Sequence, residues 1–281
     1  MRLAGQPTKL PRVKRRSSVG QVVLTSLCVL VLFLSCFTAF EVPVATERNL
    51  FSFFSNKLQV SVQYLPEKAK EKVFAIYPAL NAEPPAYRST YYSPVPAAAV
   101  FVGYVLGPSL GMVSCAVFLF IGLVGPLVGV HTFAGGGGLG YYQEPGFGYL
   151  LALIPSAWVV GMITRGRRTT LSQSIAVLAG LTVTHLTGLL YLFGSVLVSY
   201  MLNGTSAALA WQPWVFELAR NMTWYQLPYD GIAAVILIGI GFPFRWLAGT
   251  LTAPDLAARP APGRESRFVS VDAFADDLEY V

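Results

Sequence analysis

Residues 104–152 read YVLGPSLGMVSCAVFLFIGLVGPLVGVHTFAGGGGLGYYQEPGFGYLLA, and this stretch decides the fold class. Gly107 and Pro108 break one apolar run. A second run, Leu110 to Val130, follows without a charged side chain. About 20 apolar residues are what a helix needs to cross the hydrocarbon of a bilayer. The glycine-rich segment 131–146 then reads as a loop, because Gly and Pro punctuate helices. Phe147 to Thr164 opens a new apolar run that stops at Arg165-Gly166-Arg167-Arg168.

The pattern extends to both sides. Val19–Phe40, Val95–Leu106, Leu171–Met201 and Leu227–Leu247 are further apolar stretches, the second of them short for a span. The expected fold is an all-α integral membrane protein, a six-helix transmembrane bundle. Its membrane domain covers 19–249, between a basic leader (1–18) and a polar, acidic tail (250–281). Composition agrees: of 281 residues 54% are hydrophobic and only 12% charged, with mean hydropathy +0.55. A soluble domain carries about 25% charged residues, and disorder needs low hydrophobicity.

The net charge of +6 is unevenly placed. Arg2, Lys9, Arg12, Lys14, Arg15 and Arg16 precede the first apolar run, and no acid appears before Glu41. Cations placed there orient a membrane protein rather than bind nucleic acid. By the same rule the leader, the 106–110 turn, the 165–168 loop and the tail are cytoplasmic in a multi-pass cell-membrane protein. Loops 42–93, 131–146 and 202–225 then lie outside. The first run is longer than a signal-peptide core and lacks an A-x-A site, so an uncleaved helix is preferred. Cys28, Cys36 and Cys115 all fall in apolar runs, an odd set with neither disulfide nor metal spacing.

The long 42–93 loop should hold short helices, one around Glu67–Ile76. Its aromatics (Phe51, Phe53, Phe54, Tyr64, Tyr87, Tyr91, Tyr92) suit either an interfacial lid or a surface loop without a role.

Gly135, Gly136, Gly137 and Gly138 let backbone approach a ligand closely and leave N–H and C=O groups free to bind it. No P-loop signature occurs anywhere. Asp230, at the start of the last run, is either a pocket carboxylate accepting N–H donors or a first-turn helix residue. Tyr149 and Tyr191 belong to an aromatic group that also includes Trp211, Trp214, Trp224 and Tyr225. His185, inside the fifth run, reads as a hydrogen-bonded packing residue, and Glu144 as a solvated one. No nucleophile–base set or pair of acids suggests catalysis, and no cofactor is implied.

Taken in order, YVLGPSLG (104–111), TFAGGGGLGYYQEPGFGYLLA (132–152), GLLYLFG (188–194) and LPYDGIAAV (227–235) resemble BioY, the biotin-binding S component of energy-coupling factor (ECF) vitamin transporters. The resemblance covers about residues 94–249. It implies six helices with both termini cytoplasmic, and biotin or a related vitamin held near the outer face. Asp230 falls on the family's pocket aspartate, and Tyr149 and the Gly135–Gly138 backbone fall on other motif positions. A separate ECF transmembrane coupling protein and ATPase subunits would drive transport. Ser35 and Ala39 form one small-residue pair on the first run available for docking. Three departures stand out. The family's lysine three residues after the aspartate is Ala233, Trp224-Tyr225-Gln226 stands where a proline precedes Pro228, and Glu144-Pro145-Gly146 replaces Gly-Pro-Thr. An anionic ligand without that lysine loses a charge-assisted contact worth about 1.5–3 kcal/mol. Arg88, Arg220 and His131 are the candidates to replace it.

Overall fold

A computed structural model describes residues 18–83, 85–131, 133, 136–166, 169–204 and 213–251. The expected leader and tail lie almost wholly outside them. Helix α1 (Ser18–Phe37) leads to strand β1 (Phe40–Pro43), then α2 (Glu47–Gln63) and α3 (Glu67–Ile76). Strand β2 (Ser89–Tyr92) pairs antiparallel with β1, from Phe40 opposite Tyr92 to Pro43 opposite Ser89. The bundle continues with α4 (Val95–Leu106), α5 (Pro108–Val124), α6 (Phe147–Leu151), α7 (Leu153–Ile163), α8 (Thr170–Asn203), α9 (Pro213–Ala219) and α10 (Leu227–Leu251).

Two expected helices have the bounds read from the sequence: Val95–Leu106 and Glu67–Ile76. The all-α expectation needs a correction, because β1 and β2 form a short ladder. The first run ends as helix at Phe37, and Phe40 is already extended strand. Phe147–Thr164 is interrupted at Ala152. Pro155 explains the break, since it cannot donate to the carbonyl of Leu151 four residues earlier and its ring crowds that turn.

Among the described residues three helices are long and apolar enough to cross a membrane: Val19–Phe37, Pro108–Val128 and Thr170–Asn203. The last stretch makes four if its two arms, bent by 50° at Pro243, are one span. At 1.5 Å per residue, α4 is only about 18 Å long. Its role is central instead. It is apolar all round, and nearly every residue of it is buried against α1, α5, α7, α8 and α10. The α4–α5 turn uses Gly107 at φ 79°, followed by Pro108 at the first helical position. This turn seats on Gly161, where a Cβ would come within 2.3 Å of the Pro108 nitrogen.

The apolar stretches run in alternating directions, which sorts the connections into two sets. At one end are the Gly107 turn, the α7–α8 connection, and Arg245, whose Nη1 donates to the carbonyl of Tyr104 at 3.3 Å. At the other end are the β1–β2 strap, the glycine-rich loop and the segment before α10. The described candidate site residues lie toward this second end.

Candidate functional site

Asp230 is fully buried in the first turn of α10, and its N–H donates to the carbonyl of Gln226 at 2.9 Å. The Tyr92 hydroxyl, at the end of β2, donates to Oδ1 at 2.9 Å. His185 Nε2, from α8, lies 3.1 Å from Oδ2. A carboxylate only accepts, so an ionised Asp230 places the imidazole proton on Nε2. That leaves His185 Nδ1 buried and, among the described residues, without a partner. The Tyr149 ring of α6 meets the His185 ring edge-on at 6.2 Å. The Tyr149 hydroxyl lies 2.7 Å from Thr223 Oγ1.

Thr223 belongs to a π-helical turn, Arg220–Trp224, directly before α10. Such turns insert one residue and re-aim the side chains after them. The strap closes over this arrangement. The Tyr92 and Tyr229 rings pack at 5.8 Å, and the Tyr229 hydroxyl donates to the Pro43 carbonyl. Ser93 Oγ ties the end of the strap to the Ser35 carbonyl on α1 at 2.8 Å.

Burial, reinforced by the Asp230 charge and hydrogen bond, pushes the Tyr92 phenol above its ordinary range. The folded chain therefore keeps this proton where the unfolded chain, with an ordinary tyrosine, releases it. Its contribution is complete below about pH 10 and declines as pH rises above that value. Wild type is expected to lose up to about 1.4 kcal/mol more stability per pH unit above pH 10 than Tyr92→Phe. Chemical denaturation in detergent at pH 9, 10 and 11 measures the difference, and parallel curves would contradict it.

The glycine loop corrects an expectation. Gly135 lies outside the described residues. Gly136, Gly137 and Gly138 have φ of 126°, 115° and 99°, which L side chains rarely adopt. Their backbone is not wholly free for a ligand, however. The Gly136 N–H donates to Phe133 and the Gly138 N–H to Gly122 on α5, at 3.0 and 3.1 Å. The Phe133 ring fills the space that a Cβ on Gly122 would need, only 1.9 Å away. The loop is thus folded back and anchored on α5 by an aromatic plug.

Tyr191 stands on α8 beside this region. Its hydroxyl donates to the Tyr142 carbonyl, and its ring packs on Phe147 at 5.8 Å. It joins the glycine loop to α8 and, among the described residues, makes no hydrogen bond to the Asp230 cluster. Glu144 and His131 are exposed, as is the Arg88 side chain, whose backbone N–H is held by Asn49 Oδ1. The Arg220 guanidinium lies over the Tyr225 ring at 5.5 Å. Ala233 packs against the main apolar core. Trp211 lies outside the described residues, Trp224 is exposed, and Trp214 packs on a small cluster of Leu192, Val196 and Val215. Ser114 and Ser195 donate to carbonyls of their own helices. Ser35 is buried in its own bundle and Ala39 lies beyond the end of α1, so the two do not form a docking pair on one helix.

Sequence reading reached Asp230 and Tyr149 but missed Tyr92 and Thr223 as their partners. The Asp230–His185 pair had a signal. Among the apolar runs, Asp230 is the one acid and His185 the one histidine, and ionisable groups inside a membrane pair with one another.

The sequence model of the BioY family matches residues 93–250. The chain belongs to the BioY family. The match takes in α4 through α10, and with them Asp230, His185, Tyr149, Thr223 and the glycine loop. Tyr92 falls one residue before it, so the strap brings to this BioY site a hydroxyl from outside the matched region. The S-component for biotin from an ECF-type ABC transporter is a similar solved structure, at 20% identity and a TM-score of 0.41, covering 70% of this chain and 89% of that one. No curated protein matches the chain.

Proposed function

We propose that this BioY chain is the substrate-binding membrane component for uptake of biotin or a related vitamin. It crosses the membrane six times, with the 1–18 leader and the 250–281 tail in the cytoplasm. Separate ECF coupling and ATPase subunits energise it, and it performs no catalysis itself. The observation that carries this reading is the family match over 93–250. The chemistry of Asp230 supports it: a buried acceptor suits a ligand that presents N–H groups, such as a cyclic urea. Tyr149, Tyr191, Gly136, Gly137 and Gly138 border the same end of the bundle and, together with Gly135, are the other proposed contacts.

One observation favours a second reading, a membrane scaffold that kept the fold and lost the ligand. Both Asp230 oxygens are already engaged by the chain's own donors, and Ala233 supplies no cation for a ligand carboxylate. Tyr92→Phe separates the readings. For a vitamin binder the Tyr92 hydroxyl competes with the ligand for Oδ1, so the variant binds biotin at least as tightly as wild type, with a gain of up to about tenfold. For a scaffold neither protein binds, and the variant only loses stability. Calorimetric titration of both purified proteins with biotin decides. Absence of binding by folded wild type and folded variant would remove biotin as the ligand and favour the scaffold reading.

A further inference from the structure

Helix α2 is turned the wrong way round for a helix in water. A helix on a soluble surface faces its apolar stripe inward and its polar side chains outward. Here the inward side carries amides as well as the buried Val62 and the half-buried Phe53, whose ring packs on Tyr87. Asn49 Nδ2 donates to the carbonyls of Val44 and Arg88 at 3.0 and 2.6 Å, and its Oδ1 accepts the Arg88 N–H at 2.6 Å. Asn56 Nδ2 donates to the Pro85 carbonyl at 3.4 Å, and the buried Gln59 donates through Nε2 to Ala79 at 3.2 Å. The outward side carries Phe51, Phe54 and Leu58, which are 78%, 66% and 54% exposed, and Leu65 just past the helix end is exposed too. At 100° per residue Phe51, Phe54 and Leu58 fall within about 60° of arc. Arg48 and Lys57 lie about 90° to either side of that stripe, and both are exposed.

We propose that α2 is an interfacial helix that lies on the bilayer surface with Phe51, Phe54 and Leu58 in the acyl-chain boundary and Arg48 and Lys57 at the headgroup phosphates. Two observations select lipid as the occupant. The first is continuity. Asn49 pins the first turn of α2 to the β1–β2 strap, and Ser93 pins the strap to the last turns of α1. The exposed apolar surface of α1, including Leu30, Leu34, Phe37 and the adjoining Phe40, runs up to this level. The stripe of α2 therefore begins where the lipid-facing surface of a spanning helix ends. The second is the pair of exposed cations, Arg48 and Lys57, one on each side of the stripe, against a single acid, Glu47, in the first turn, an arrangement that suits anionic headgroups. In this position α2 holds the strap, and with it Tyr92, at the membrane surface. The inference stands whether or not the chain binds a vitamin.

The test is a nitroxide scan of the full chain in vesicles of phosphatidylethanolamine and phosphatidylglycerol. Single cysteines replace Phe51, Phe54, Leu58, Gln63 and Lys68. Cys28, Cys36 and Cys115 are buried, and the unsubstituted chain serves as the labelling blank. Each label is read for collision with oxygen, which partitions into lipid, and with a nickel chelate, which stays in water. The oxygen-to-nickel ratio is expected to be at least about threefold higher at 51, 54 and 58 than at 63 and 68. Equal ratios at all five positions would put the stripe in water and overturn the proposal. Low collision with both reagents at 54 and 58 would mean that protein, such as a second copy or another membrane subunit, covers the stripe. That result would overturn it equally.

Discussion

Replacing Asp230 by Asn is expected to weaken biotin binding about 10- to 100-fold while leaving the fold in place, the loss that goes with removing one charge-assisted hydrogen bond of about 1.5–3 kcal/mol. Asparagine has nearly the same shape and keeps one carbonyl oxygen for the Tyr92 hydroxyl. Its NH2 group replaces Oδ2, however, and faces His185 Nε2. The imidazole can answer by moving its proton to Nδ1, the nitrogen that has no partner among the described residues. Asp230→Ala removes both acceptors and leaves two buried donors unpaired. Each unpaired donor costs about 1–3 kcal/mol, so this variant is expected to unfold about 3 kcal/mol more easily than wild type. The two substitutions thus divide the role of Asp230 in the bundle from its role toward a ligand. Thermal unfolding in detergent and calorimetric titration on the same samples read both. An Asn variant that binds biotin as tightly as wild type would reduce Asp230 to a clamp between α8, α10 and the strap.

What the sequence made legible was local, and what it hid was long-range. Val95–Leu106 could be read because Pro94, Pro96, Gly107 and Pro108 bracket an unbroken apolar run, and α3 because a charged helical stretch follows Pro66. The β1–β2 ladder could not. FEVP and STYY are four residues each and stand 45 residues apart, so neither marks itself as the partner of the other. The Tyr92–Asp230 bond closes 138 residues of chain, and nothing near Tyr92 distinguishes it from Tyr91. Yet Tyr91 is exposed and Tyr92 buried, the alternation that a strand imposes once it pairs. The glycine loop misled for a related reason. Four glycines advertise backbone freedom, but Phe133 and the bare surface of Gly122 determine that two of those N–H groups turn inward. The phenylalanines of α2 were visible as interfacial residues. Which side they occupy depends on amides that bind loop carbonyls up to 39 residues away.

The contact between α6 and α8 supplies the other large effect, because two glycines on one helix should respond to the same substitution with opposite signs. At Gly188 an added Cβ would lie 2.4 Å from a ring carbon of Tyr149, whereas at Gly194 it would meet nothing within 4 Å. Gly194→Ala is therefore expected to stabilise the chain by about 0.5–1 kcal/mol, the ordinary helix preference of alanine over glycine. Gly188→Ala gains the same preference but forces the Tyr149 ring away, and overpacking of this kind costs about 1–3 kcal/mol. The ring has no easy retreat. Its edge abuts His185, and its hydroxyl is held at Thr223 in the π-helical turn that sets the start of α10. Displacing it therefore disturbs Asp230 from two sides, and under the uptake reading Gly188→Ala loses affinity as well as stability. Trimming the obstacle tests the cause. In Gly188→Ala/Tyr149→Leu the clash is gone, so the double variant is expected to be less destabilised than the sum of its singles, a coupling of about 1 kcal/mol measurable by a double-mutant cycle. Strict additivity would mean that the helices separate at Gly188 without involving the ring, and that Tyr149 does not transmit the close approach of α6 and α8 to the carboxylate.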